Sequence, residues 1–199
     1  MEPELARHPD RLRWNSRYGS GYTPAFTAHP LAVRALSMRL PAGPVLELAS
    51  GPSGSALLLA AAGRPVTAVD ASDVALRMLF DEATRRGLAG LITLVHADLT
   101  AWRAAPGCAA LLICTGFWDR GVFAAAVGAV ASGGLIAWEA LTSGARTHRP
   151  SLPEAWCLGS GEPGTLLPDG FEIVDQHDVA GGAKRQLLAR RRPAVSARD

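Results

Sequence analysis

The chain has little cysteine, little net charge and no long apolar run, and each shortage narrows what it does. Its 199 residues include three cysteines, Cys108, Cys114 and Cys157, widely spaced and without a CxxC pair. That spacing offers no disulfide framework and reads as free thiols in a reducing, cytoplasmic setting. The formal net charge is +2, too small to make nucleic acid or an anionic membrane an obligate partner. No stretch reaches the roughly 18 consecutive apolar residues of a membrane span. The opening MEPELARHPDRLRWN lacks the apolar heart of a signal peptide. No cluster of His, Cys, Asp or Glu has metal-ligand spacing, and no internal repeat is visible, so no metal is expected.

What is present is a folding composition: 48% hydrophobic and 19% charged residues in 20.8 kDa. One domain over 1–199 is expected, with an arm at 1–30, a core at 31–192 and a flexible tail at 193–199. Trp14, Tyr18, Tyr22 and Phe26 make the arm an ordered one, since four aromatics need somewhere to pack. LAVRALSMRL (31–40) has helical spacing. PVLELA (44–49), PVTAVD (65–70), LITLVHAD (91–98), AALLICT (109–115) and LIAWEAL (135–141) read as strands, with helices near 55–63, 72–87 and 119–131 between them. Residues 142–168 are loop-rich, with a short helix near 162–167. FEIVDQHDV (171–179) and KRQLLARRR (184–192) flank a Gly-Gly turn as a hairpin. The expectation is an α/β, Rossmann-like doubly wound sheet, mostly parallel and seven-stranded, closed by a C-terminal antiparallel hairpin. The Arg190–Arg192 run reads as an exposed edge strand whose charge discourages pairing with other chains.

The chemistry concentrates in VLELASGPSGSALLLAAAGRPVTAVDAS (45–72): strand, small-residue loop, helix, strand. Two readings fit. Ala49-x-Gly51-x-x-Gly54, with Asp70 about 20 residues on, is one residue from the dinucleotide fingerprint of NAD(P) enzymes. Yet no Tyr-x-x-x-Lys pair follows, and little chain remains for a substrate domain. The other reading weighs the acids: Glu47, Asp70 and Asp98 each sit at a strand end. A carboxylate-rich site without phosphate clamps suits S-adenosyl-L-methionine, which carries a sulfonium, an ammonium and a ribose diol but no phosphate. The acids favour the second reading.

VLELASGPSG, TAVDAS and VHADL together resemble the successive nucleoside-binding motifs of class I S-adenosylmethionine-dependent methyltransferases. Within that superfamily, WNSRYGSGYTP (14–24) resembles the W-D-x-R-Y-x-x-G-x-T-P opening of small tellurite-resistance (TehB-like) methyltransferases. DRGVFAAAVGAVASGGLIAWEALT (119–142), LGSGEPGTLLPDGFEIV (158–174) and RQLLARRRP (185–193) are similar to the later segments of the same group. The resemblance implies a methyl transfer that converts S-adenosyl-L-methionine to S-adenosyl-L-homocysteine. It implies that Glu47, Ala49, Ser50, Gly51 and Ser53 line the methionine portion and ribose. Asp70 would take the ribose hydroxyls, with Ala71 and Ser72 beside the adenine, Asp98 accepting from the adenine amino group and Leu99 packing nearby. Cys114 and Thr115 would lie under the methyl group, and Trp14 and Tyr18 would cover the cofactor. Ala49 and Ser53 stand where the family has glycines, and Pro52 stiffens the turn.

No Asn/Asp-Pro-Pro-Tyr follows AALLICT, where Cys-Thr-Gly-Phe-Trp stands instead. That argues against amino-group methylation of nucleic acids and for a small-molecule acceptor with an oxygen, sulfur or metalloid nucleophile. Candidates on the acceptor side are His29, Trp118, Arg146, His148 and Arg149. Each also has an ordinary reading: His29 as a turn residue before Pro30, the two arginines and His148 as solvated loop residues. Trp118 reads as a pocket wall. Glu139, a carboxylate in an apolar strand, is expected at the strand's cofactor edge. A monomer or homodimer fits. Alternatives are a non-catalytic nucleotide-binding module of the same fold and a short NAD(P)-dependent oxidoreductase.

Overall fold

A strand that is apolar on both faces has no wet side and belongs in the middle of a covered sheet. In the computed structural model, which describes residues 3–193, seven strands form one sheet whose middle follows that logic while its outer strands are partly exposed. They are β1 (Val45–Leu48), β2 (Val66–Asp70), β3 (Ile92–His96), β4 (Ala109–Thr115), β5 (Val130–Leu141), β6 (Phe171–Val179) and β7 (Lys184–Arg191). The sheet order is β3-β2-β1-β4-β5-β7-β6. β1 to β5 pair in parallel, and β7 lies antiparallel between β5 and β6. β1, wholly buried, sits beside β4, and the chain's winding reverses between them. That reversal is where doubly wound sheets open a crevice at the carboxyl ends of their strands. The fold is the Rossmann-like α/β arrangement expected from the sequence.

Among the described residues six α-helices accompany the sheet: α1 (Pro3–Ala6), α2 (Pro9–Gly19), α3 (Pro30–Leu36), α4 (Gly54–Ala61), α5 (Asp73–Arg85) and α6 (Arg120–Ala129). Leu31 and Ala35 of α3, Leu57 and Leu59 of α4, and Leu79 and Ala83 of α5 pack against Val45, Ala68, Ile113 and Leu135 on one face. On the other face Phe123 and Val127 of α6 meet Leu46, Leu112 and Ile136, with Trp118 and Trp138 between. Side-chain caps start four helices: His29, Ser53, Ser72 and Asp119 accept from Leu31, Ala56, Ala75 and Val122 amides.

The structure departs from the sequence expectations in four places. α3 stops at Leu36, short of the predicted Leu40, with Ser37 as its C-cap. β5 begins at Val130, not Leu135, because Gly133 at φ 75° lets the strand bulge and continue instead of turning. The arm is helical over Pro9–Gly19, although α2 buries no residue fully and has no apolar stripe to announce it. Its aromatics pack on one another: Trp14 stacks on Tyr18 at 5.7 Å between centroids, and Tyr18 meets Tyr22 edge-on. Finally, the arginine run is not on an edge strand. β7 is interior to the sheet, and Arg190 and Arg191 donate to the carbonyls of Arg39, Gly133 and Val130. The edge is β6. The expected tail at 193–199 lies outside the described residues except for Pro193.

Gly54 shows how tightly the arm is seated. A Cβ there would overlap the backbone of Phe26 and Thr27, which have no flexible end to yield. Gly54→Ala is therefore expected to lower stability by about 1–3 kcal/mol, the usual cost of overpacking, as urea denaturation would measure.

Candidate functional site

The loops after β1, β2, β3 and β4 converge at one end of the sheet, and α2 lies over them. Asp70, the last residue of β2, is buried, and both carboxylate oxygens are occupied: the Gly51 and Ser72 amides each donate to it at 2.7 Å. It thereby fixes the first loop against the second. Glu47 lies beneath the first loop, buried, and accepts from the Ser53 hydroxyl at 2.8 Å through Oε1. Its Oε2 and the Ser50 hydroxyl are buried with no hydrogen-bond partner. Burial, reinforced by the nearby Asp70 charge, pushes the Glu47 carboxyl up to about 7, although the Ser53 bond opposes the rise. Ala49 takes the left-handed conformation at φ 48°, which costs a residue with a Cβ about 1–2 kcal/mol. Gly51, at φ 57°, has the Tyr18 hydroxyl 3.0 Å from where a Cβ would stand. Burial and the Asp70 charge raise the Tyr18 phenol to about 12.

α2 is tied down from several sides. Asn15 donates to Asp73 at 2.8 Å and accepts from the Ser72 hydroxyl at 2.6 Å. Arg11 pairs with Asp73 at 2.8 Å, and His8 lies 3.6 Å from Asp98. Asp98 also receives the amide and hydroxyl of Thr100, closing its own turn.

Two cavities adjoin under α2. The first, about 50 Å3, is lined by Asp10, Trp14, Ala49, Asp70, Ala71, Asp98, Leu99, Thr100 and Phe117. It holds three carboxylates and neither arginine nor lysine. The second, about 210 Å3, lies toward β5 and shares Asp10, Trp14 and Phe117 with the first. Its walls add Trp118, Leu141, Leu152 and Trp156, with Arg13 and Arg149 at the rim.

Of the residues expected to bind cofactor, Trp14, Ala49, Asp70, Ala71, Asp98 and Leu99 line the first cavity. Glu47, Ser50, Gly51, Ser53 and Tyr18 form its neighbour, the loop and what touches it. Ser72 caps α5 and anchors α2. Cys114 is fully buried in the core and lines neither cavity; burial raises its thiol well above the ordinary value. Thr115 ends β4 half-buried, also outside both walls.

On the acceptor side, Trp118 is both pocket wall and core residue, packed against Phe123 and Trp138. Arg149 lines the second cavity. Arg146 does not: it faces Glu154 at 3.7 Å, and His148 is exposed on the same turn. His29 has both ring nitrogens engaged. Nδ1 accepts from the Leu31 amide, which places the proton on Nε2, 3.3 Å from Glu139. Glu139 pairs with Thr115, the last residue of β4, and so sits at the carboxyl edge of the sheet, but its side chain lines neither cavity. It is buried beside His29, where Lys184 and Gln186 donate to it at 2.7 Å. Burial alone would raise its carboxyl, but the bonds from His29, Lys184 and Gln186 outweigh that and hold it at about 2. The sequence reading missed Asp10, Arg13, Phe117 and Trp156. They come from the helical arm, the loop after β4 and the loop after β5, and only their proximity in space marks them. Among the described residues no group of three His, Cys, Asp or Glu is placed to hold a metal, and no helix is long and apolar enough to cross a membrane.

No protein-family model matches the chain, and no curated protein matches it. Solved structures do share its fold. One concerns conversion of a disulfide bond into a thioacetal group during echinomycin biosynthesis, with 18% identity, TM-score 0.71 and 94% of each chain covered. The geranyl diphosphate C-methyltransferase of Streptomyces coelicolor A3(2), solved with S-adenosyl-L-homocysteine, has 12% identity and TM-score 0.69, covering 94% of this chain and 98% of that one. The CcbJ methyltransferase of Streptomyces caelestis has 17% identity and TM-score 0.65, over 92% and 97%. At such identities the likeness is one of fold.

Glu47 offers a test of the site's electrostatics. A carboxyl whose native value is raised holds its proton longer in the native state than in the unfolded chain. The native state then binds more protons between about pH 4.5 and 7, so stability falls as pH rises through that window. Glu47→Gln is expected to remove this slope, leaving the variant relatively more stable above pH 7. Urea unfolding of both proteins across the window measures the difference.

Proposed function

We propose that the protein is an S-adenosyl-L-methionine-dependent methyltransferase acting on a small-molecule acceptor. The observation that carries this reading is the charge of the first cavity: three carboxylates, no cation. A pyrophosphate would meet Asp70 and Asp98 with no arginine or lysine to neutralise it, whereas a sulfonium nucleoside with an ammonium group suits that wall. The orphaned Oε2 of buried Glu47 is a second sign, since a buried acceptor without a partner costs about 1–3 kcal/mol unless a ligand supplies the donor. The likeness in fold to methyltransferases is consistent with the same reading.

In this reading Asp70 accepts the ribose hydroxyls on its remaining lone pairs, Ala71, Asp98 and Leu99 surround the adenine, and Glu47 with the loop Ala49–Ser53 faces the methionine portion. Trp14 and Tyr18 on α2 close over it. The bound cofactor supplies an electrophilic methyl group and is released as S-adenosyl-L-homocysteine. The chain's own part is to align the acceptor and keep water out. A first cavity of about 50 Å3 is far below a nucleoside-sized pocket, so α2 must lift for binding and return afterwards. The arm's resemblance to tellurite-resistance methyltransferases supports oxygen, sulfur or metalloid nucleophiles as the acceptor class, and the three free cysteines suit the cytoplasm.

Calorimetry of the purified protein is expected to give micromolar binding of S-adenosyl-L-homocysteine and no heat with NADH. Heat with NADH alone overturns the reading, and tight binding without transfer to any acceptor selects the non-catalytic module. Asp70→Ala is expected to weaken S-adenosyl-L-homocysteine binding by about 1.5–3 kcal/mol, the loss typical of charged hydrogen bonds. Thermal melting of the variant separates that loss from unfolding, and unchanged binding removes Asp70 from the ribose role.

A further inference from the structure

The second cavity is assembled from parts that do not resemble a site for a small inorganic anion. Its floor is apolar: Phe117, Trp118, Leu141 and Leu152, with Trp118 and Leu152 nearly fully buried. Two more indoles, Trp14 and Trp156, form its sides. A volume of about 210 Å3 accommodates roughly ten non-hydrogen atoms at the packing density of protein interiors. Flat aromatic walls of this kind select a flat aromatic body by stacking and edge contacts.

Its polar groups are few and separated. Arg13 lies between the two side indoles, its guanidinium carbon 4.7 Å from the Trp156 centroid and 5.5 Å from that of Trp14. Stacking of this sort fixes the guanidinium plane and leaves its N–H edge free. Neither Arg13 nor Arg149 has a carboxylate within 4.0 Å among the described residues, whereas neighbouring Arg146 faces Glu154. Two arginines at the rim without acidic partners favour an anionic ligand group and disfavour a cation, even among aromatic walls. Asp10 also lacks a hydrogen-bond or ion-pair partner among the described residues, and it lines both cavities. It is the polar group nearest the boundary, where a ligand hydroxyl has an acceptor to meet.

We infer that the second cavity binds a small aromatic acid bearing a hydroxyl group: the ring packs on the Phe117 and Trp118 floor between the sides formed by Trp14 and Trp156, the carboxylate meets Arg13 and Arg149, and the hydroxyl donates to Asp10 on the cofactor side. As the methyl acceptor of this protein, such a ligand rests on the methyltransferase reading; as the ligand of this cavity, it does not. It narrows the acceptor from any oxygen, sulfur or metalloid nucleophile to the hydroxyl oxygen of an aryl acid: the O–CH3 bond would form as the donor's S–CH3 bond breaks, S-adenosyl-L-homocysteine would leave, and the hydroxyl proton would pass to the Asp10 carboxylate.

The test is titration of the full chain with the isomeric hydroxybenzoates, followed by tryptophan fluorescence, with and without S-adenosyl-L-homocysteine. The matching hydroxybenzamides, which keep ring and hydroxyl but lose the charge, are the controls. At least one acid is expected to quench saturably and to bind about tenfold more tightly than its amide. Arg13→Gln and Arg149→Gln are each expected to weaken the acid about tenfold, leave the amide nearly unchanged and preserve the calorimetric affinity for S-adenosyl-L-homocysteine. Melting curves confirm that both variants fold. Equal binding of acid and amide, or no saturable quenching under either condition, overturns the inference, as does methylation of selenite or tellurite with no response to any aromatic acid. Arginine-dependent binding of the acids by a protein that does not bind S-adenosyl-L-homocysteine upholds the cavity's ligand class and removes the methyltransferase reading instead.

Discussion

The two short hydrogen bonds to Asp70 hold the functional end of the molecule together. One comes from the Gly51 amide in the first loop and the other from the Ser72 amide in the second. Ser72 in turn caps α5 and donates to Asn15, and Asn15 also reaches Asp73, so the position of α2 descends from the same carboxylate. α2 then supplies Asp10, Arg13 and Trp14 to the cavities. A single buried acid thus links the sheet, two loops and the helix that roofs them. That linkage explains why an unremarkable polar helix, with no buried stripe, is held in place at all.

Charge is sorted by location across this end of the sheet. Carboxylates line the first cavity, and arginines without acidic partners stand at the rim of the second. Asp10 lies where the two meet. Such sorting runs against stability, because unpaired like charges close together and a buried carboxyl without a full set of partners both raise the energy of the folded state. Glu47, pushed up to about 7, is the clearest case. The strained backbone of Ala49 is another. Both lie at the loop that the fold presents to a ligand, where complementarity to a partner can offset their cost.

Elsewhere the same residue types are fully satisfied. Glu139 is enclosed by His29, Lys184 and Gln186, and Lys184 is the only lysine in the chain. Glu162 receives Arg120 and the Gly159 amide, and Arg185 pairs with Asp178. These groups stitch the C-terminal hairpin together and to β5, and its preceding loop to α6. Their pairing, not their identity, separates them from Glu47 and Asp10.

Alternation of apolar runs with helical segments was enough to determine the Rossmann-like sheet, its antiparallel close and the clustering of Glu47, Asp70 and the first loop, because backbone periodicity and the strand–loop–helix order are local properties. The limits of α3 and β5 were not, since a bulge at Gly133 and a cap at Ser37 depend on neighbours. The interior place of β7 was hidden because arginines that bond distant carbonyls read, in one dimension, like arginines facing water. Glu139 was legible as an unusual carboxylate, but whether it faced a ligand or a lysine turned on strand register. The second cavity was the least legible: Asp10, Arg13, Phe117, Arg149 and Trp156 lie on three separate segments, and only the docking of α2 against the strand ends brings them within reach of one molecule.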